Sequence, residues 1–89
     1  MKRTVTRIID GDTFMVNRKV NGTNYVRLAN VNAPERYTRG GRTATNALKG
    51  MIAGHTINVN PVGRSYDRIV ANVSYQRKSI NKKLQQKRY

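Results

Sequence analysis

The chain has 89 residues, with 18 Lys and Arg against 4 Asp and Glu, a formal charge of +14, and no cysteine. At that length one domain is expected, burying roughly two-thirds of the surface its unfolded chain exposes, so the core must be compact. The lack of cysteine excludes a disulfide framework and a thiolate metal site, and no apolar run approaches the ~20 residues of a membrane span.

The N-terminal stretch "MKRTVTRIID" lacks the apolar core of a secretory signal, and Met1 reads as the native start of a soluble chain. Cytoplasmic residence and delivery of a processed protein both stay open. "TVTRIIDG" and "DTFMVNRKV" are rich in β-branched and aromatic residues and read as strands. Asn-Gly within "VNGTN" marks a tight hairpin before a third strand, "YVRLANV". "NAPE" ends that strand, because Pro34 cannot continue a ladder. From Gly40 to Gly54 the period changes: Ala44, Ala47, Leu48, Met51 and Ile52 recur on one face of a helix that Gly54 can close. "HTINVN" and "RIVANVSY" then alternate, with Ile57 and Val59 on one face and Ile69, Ala71 and Val73 on another. Ser79 can cap a last, short and frayed helix through "INKKLQQKRY", whose apolar face is only Ile80 and Leu84. The order β-β-β-α-β-β, mainly β with one principal helix, is that of a five-stranded Greek-key barrel of the OB type with a short basic C-terminal helix or tail at about residues 79–89.

A +14 chain calls for a polyanionic partner, and nucleic acid comes first because each Lys or Arg set against a phosphate releases condensed counterions. An anionic membrane surface would require a basic helix with a bulky apolar face, which the C-terminal segment lacks. Against this charge the acids stand out. Three of the four lie in "DGDT" at 10–13 and "NAPE" at 32–35; the fourth, Asp67, adjoins Arg68. Gly11 between Asp10 and Asp12 frees the backbone to bulge, so that oxygens can converge on a hard cation. The plainer reading of Asp-Gly is an Asx-turn. His55 has no second His or Cys to share a metal with and reads as surface.

Taken together, "DGDT", "YVRLANVNAPE" and "SYDRIVANV", in that order from about Val5 to Tyr75, resemble the staphylococcal nuclease (thermonuclease-like) family. The resemblance implies an OB barrel and metal-dependent hydrolysis of phosphodiesters in DNA or RNA, typically with calcium. It also implies roles by position. Asp12 resembles the first carboxylate ligand and Asp10 a supporting anion outside it. Asn32 stands at the second carboxylate position, and Ala33 would offer its main-chain carbonyl. Glu35 resembles the group that activates or orients the attacking water, Arg27 and Arg68 the pair that hold the phosphate, and Tyr66 an aromatic beside the nucleotide. Arg64 beside it and Lys82 and Lys83 of the basic tail complete the expected contacts with nucleic acid, made by a monomer.

These residue types suit the chemistry on physical grounds. A phosphodiester attacked in line by water needs a Lewis acid, a group to take the water's proton, and cationic donors around the transition state. The planar fork of guanidinium can meet phosphate through two N–H groups at once. Three departures from the family pattern bear on the outcome. Asn32 replaces an acid, which removes one negative charge and weakens metal affinity. Asp67 replaces a glycine before Arg68 and is placed to pair with Arg68 or Arg64. The chain also stops near the start of the family's second helix, so a low stability is expected. A basic OB module that binds single strands after losing catalysis is the rival reading, and a basic ribosome-associated protein a third. Retention of three anions in a groove otherwise built for polyanions favours the enzyme.

Overall fold

The computed structural model describes residues 1–85, and the last four positions of the expected C-terminal helix lie outside them. The elements are β1 (Lys2–Ile8), β2 (Thr13–Val20), β3 (Thr23–Leu28), α1 (Arg39–Ile52), β4 (Thr56–Ser65), β5 (Arg68–Tyr75), β6 (Lys78–Ser79) and α2 (Ile80–Gln85). Strands run in the order β3-β2-β1-β4-β5, and a parallel pairing of β3 with β5 closes the sheet on itself. That closure is the OB barrel expected from the element order, and it removes the open edges a five-stranded sheet would otherwise leave.

Local chemistry explains most boundaries. The β2–β3 hairpin turns on Asn21 and Gly22, both at positive φ (48° and 92°), as a two-residue primed turn requires. β3 ends three residues earlier than the sequence pattern indicates, because Asn30 takes φ 60° and bends the chain out of the ladder. Thr38 caps α1 through its side chain, which accepts from the Gly41 amide. β4 runs on through Pro61, beyond the expected "HTINVN". A register shift between Pro61 and Gly63 leaves Val62 bulged and exposed, which accommodates a residue without an N–H. A further hairpin, unforeseen in the sequence, joins β5 to β6 through Gln76 and Arg77, again both at positive φ (52° and 66°) but without glycine.

The barrel interior holds Phe14, Val16, Val26, Leu28, Ile57, Val59, Ile69 and Val73, and α1 plugs it with Leu48 and Ile52, both fully buried. Ile80 and Leu84 of α2 join the same cluster at 2 % exposure each. The expected frayed helix is therefore docked over its described length. Its capping serine is in place, with the Lys82 amide donating to Ser79 Oγ. Docking is reinforced by Asn81, whose Oδ1 accepts from the Val73 amide at 2.7 Å while Nδ2 donates to the Ala29 and Ala71 carbonyls at 2.9 and 3.1 Å. One buried amide thus ties α2 to β5 and to the end of β3.

Candidate active site

Two connections meet at one end of the barrel: the β1–β2 turn carrying "DGDT" and the loop from β3 to α1 carrying "NAPE". The first is a compact turn in which the Ile9 and Asp10 amides both donate to the Thr13 carbonyl. Asp10 Oδ1 accepts from the Asp12 amide at 3.0 Å, an Asx-turn, so the plainer reading of Asp10 describes its local role. Gly11 has no positive φ. Its glycine is required instead by a close approach, since a Cβ there would lie 2.5 Å from Ala44 Cβ and 2.7 Å from Ala33 Cβ. The expected bulge is thereby corrected: Gly11 is the point where turn, loop and α1 press together. A second such point is Gly41, where a Cβ would overlap the Glu35 carbonyl, letting the first turn of α1 lie directly against the loop.

Asp12 sits at the junction, 8 % exposed. Its carbonyl accepts from the Leu28 amide, its Oδ1 from the Thr13 hydroxyl at 2.9 Å, and its Oδ2 from the Ala33 amide at 3.2 Å. The carboxylate therefore locks the "NAPE" loop onto the turn. Arg27, from β3, completes the arrangement. Its Nη2 lies 3.5 Å from Asp12 Oδ2 and 3.0 Å from Asn32 Oδ1, while Nη1 donates to the Leu28 carbonyl. A guanidinium thus stands between the two side chains that the sequence assigned to a cation. Burial, with the Asp12 carboxyl beside it, raises the pKa of Asp10 above the usual carboxylate range.

The structure brings together Asp10, Asp12, Arg27, Asn32 and Ala33. Glu35 follows directly; its main-chain oxygen is held by the Thr38 amide and hydroxyl at 3.0 and 2.7 Å, while its residue is exposed. The loop is fixed at Glu35 and the carboxylate faces solvent. Arg68 begins β5 opposite Tyr25 of β3, two positions before Val70, the partner of Arg27. Strand alternation places Arg68 and Arg27 on the same outward face of the barrel. Arg68 makes no hydrogen bond or ion pair with the Asp12 cluster among the described residues.

Tyr66 is 92 % exposed at the β4–β5 turn and takes φ 56° itself, so the left-handed position is Tyr66 and Asp67 needs no glycine. The expected pairing of Asp67 with Arg64 or Arg68 is absent among the described residues: Arg64 donates to the Asn21 carbonyl instead, and Asp67 accepts through its main-chain oxygen from Thr23 Oγ1. Lys82 and Lys83 are exposed on α2. His55 is at the surface as expected, stacked on Tyr75 with ring centroids 4.7 Å apart.

Among the described residues no three His, Cys, Asp or Glu side chains gather. The oxygens gathered at the junction are the carboxylates of Asp12 and Asp10 and the amide oxygen of Asn32, whereas Ala33 meets Asp12 through its N–H. These are hard oxygens, which suit calcium or magnesium, but they fit only a loosely held cation that must compete with Arg27. Thr13 as a partner of Asp12, Thr38 as the helix cap that holds Glu35, and Gly41 as a close-approach point lie outside the site residues that the sequence singles out. A threonine directly before a helical stretch is the signal that would have found the cap.

The sequence profile described as "Staphylococcal nuclease homologue" matches residues 25–89, which include Arg27, Asn32, Glu35 and Arg68, while Asp10 and Asp12 precede it. The chain is 37 % identical over 70 residues to an "Uncharacterized endonuclease" of Escherichia coli, covering 78 % of this chain and 45 % of that protein. It is 33 % identical over 78 residues to one of Haemophilus influenzae, covering 86 % of this chain and 44 % of that protein. The chain therefore spans less than half the length of these relatives. With the barrel, the two acid-bearing connections and the profile in agreement, the chain belongs to the staphylococcal nuclease family.

Proposed function

We propose that the chain hydrolyses phosphodiester bonds of DNA or RNA with the help of a divalent cation, most simply calcium. The observation that carries this reading is the junction itself. Two connections far apart in sequence are locked by Asp12, with Arg27 and Asn32 in contact and Glu35 held by its backbone beside them. Asp12, Asn32 Oδ1 and the Ala33 carbonyl would hold the cation, which when bound supplies Lewis-acid charge to the phosphate.

The remaining work falls to the chain's own groups. Arg27 and Arg68 share the outer face of β3 and β5, where their N–H forks can hold non-bridging phosphate oxygens and stabilise the charge that builds on them. The exposed carboxylate of Glu35 can take the proton of the attacking water, as the new P–O bond forms and the ester oxygen opposite it leaves. Tyr66 offers an exposed ring for a base to stack on.

One observation favours the second reading, a basic OB module that binds without cutting. Arg27 already neutralises the point between Asp12 and Asn32 where a cation would sit. The test is to incubate the purified chain with single-stranded DNA and RNA, in calcium and in chelator, beside Asp12→Ala. Cleavage that needs the divalent ion and vanishes in Asp12→Ala, with binding retained, supports the enzyme. Undiminished cleavage by Asp12→Ala in excess chelator would falsify the metal role, and binding without any cleavage selects the module.

A further inference from the structure

Along the flank between β1 and α1 lie two open cavities of about 420 Å³ and 220 Å³. Both are lined by Ile8, Arg36 and Lys49, so they are lobes of one cleft. Arg7 lines the first lobe and Arg42, Thr45 and Asn46 the second. The helical side is a regular stripe: Arg42, Thr45, Asn46 and Lys49 fall at i, i+3, i+4 and i+7, next to the stripe of Gly41, Ala44, Leu48 and Ile52 that α1 buries. Cationic and amide side chains therefore project where the helix leaves the core.

Among the described residues four cations line this cleft and no acid does. Among the described residues, Arg7, Arg36, Arg42 and Lys49 form no ion pair, and none of their side chains donates a hydrogen bond. Arg36 lies over the Tyr37 ring at 5.1 Å. By contrast Arg3 and Arg64 donate to main-chain carbonyls. Like charges gathered around a concavity repel one another, and an anion lying between them relieves that repulsion while releasing counterions. Asn46 adds a neutral donor of the kind that positions a sugar-phosphate backbone, whereas the Thr45 hydroxyl is turned to the Gly41 carbonyl.

Both walls of the cleft adjoin the candidate active site along the chain. Ile9, in its second lobe, immediately precedes Asp10, and Arg36 immediately follows Glu35. We infer that the β1–α1 cleft is a second phosphate-binding site, which holds the nucleic-acid backbone as it leaves the Asp12–Arg27 junction. This rests on nucleic acid being the chain's ligand, but not on cleavage. The occupant is a flexible single strand, since a backbone must turn from the outer barrel face carrying Arg27 and Arg68 onto the helical flank. No base selectivity is expected from cations and one small polar group.

The experiment compares fluorescence anisotropy of labelled 4-nucleotide and 12-nucleotide single strands, in chelator so that no cutting occurs, across a salt series. The full chain is measured beside the cleft variant Arg42→Gln/Lys49→Gln and a charge-matched control, Lys19→Gln/Lys78→Gln, with circular dichroism to show all three folded. Log affinity should fall with log salt by roughly 0.7 for each phosphate neutralised on a single strand. The cleft variant should therefore lose about 1.4 from its slope on the 12-mer, and at least tenfold in affinity at low salt, with the 4-mer bound as in the control. Equal losses in the cleft and control variants, or equal losses on both strand lengths, would overturn the assignment. Because binding is read without metal, failure of the catalytic reading would show in the Asp12→Ala comparison and leave this result untouched.

Discussion

Replacing Asn32 with Asp tests the junction most directly, because the structure reverses one of its expected effects. Read from the sequence, a second carboxylate near Asp12 would repel it and weaken the metal-free protein. In the structure Arg27 Nη2 lies between the two, 3.0 Å from Asn32 Oδ1 and 3.5 Å from Asp12 Oδ2. The new carboxylate would meet a guanidinium already donating to that oxygen, converting a neutral hydrogen bond into a charge-assisted one. An ion pair this exposed contributes ~0.2–1 kcal/mol. With about 4–8 °C in Tm per kcal/mol for a domain this size, the metal-free variant should melt level with the parent or a few degrees above it.

Calcium binding to that variant should still tighten. A divalent ion and a carboxylate 4 Å apart gain about 2 kcal/mol even at the dielectric of water, which is about 30-fold in affinity, less what is needed to displace Arg27. The assay is thermal melting across a calcium titration, with cleavage rates on the same samples. A calcium-dependent rise in Tm larger than the parent's, with faster cleavage, is the expected result. A metal-free Tm several degrees below the parent would refute the placement of Arg27, and no gain in calcium response would show that position 32 does not face a cation.

Glu35→Gln and Arg68→Ala should each slow cleavage by ~10²-fold or more while leaving the melting curve near the parent's, since each removes one positioned group outside the buried core; parent-like rates in two folded variants would remove both from the site. Asn81→Ala should cost roughly 2–4 kcal/mol by orphaning the Val73 amide and the Ala29 carbonyl, and Asn81→Asp should be worse at neutral pH than in acid because a carboxylate would face two carbonyls; chemical denaturation measures both. Gly11→Ala should destabilise by roughly 1–3 kcal/mol, and Ala44→Gly added to it should recover part of the loss, because the new methyl meets Ala44 Cβ at 2.5 Å. Burial lifts the folded pKa of Asp10 above its unfolded value, so its ionisation weakens the fold as pH climbs through and above the ordinary carboxylate range. Asp10→Asn keeps an oxygen for the Asp12 amide, so it should melt above the parent at neutral pH and converge with it in acid; a variant less stable at neutral pH contradicts this.

Much of the fold was legible because it rests on period and turn chemistry. β5 spans the residues its alternation marks, the Asn21-Gly22 turn follows from the need for positive φ, and the apolar stripe of α1 is the one it buries. These are local constraints, imposed within a few residues. The acids of the two motifs stood out as well, since a +14 chain has only four of them. What the sequence could not show were the meetings between distant segments. Nothing in "DGDT" says that Gly11 must be small because Ala33 and Ala44 press on it, and nothing in "INKKL" says that Asn81 bonds Ala29 and Ala71. Nor does any local pattern place Arg27 between Asp12 and Asn32, or gather Arg7, Arg36, Arg42 and Lys49 around one cleft. Those relations arise when β3 pairs with β5 to close the barrel and α1 packs across its end, bringing together side chains whose separation in sequence carries no periodic signal. Charge and motif were thus set by sequence alone, whereas which cations are paired and which remain open to a phosphate was decided by tertiary packing, because pairing depends on distance in space.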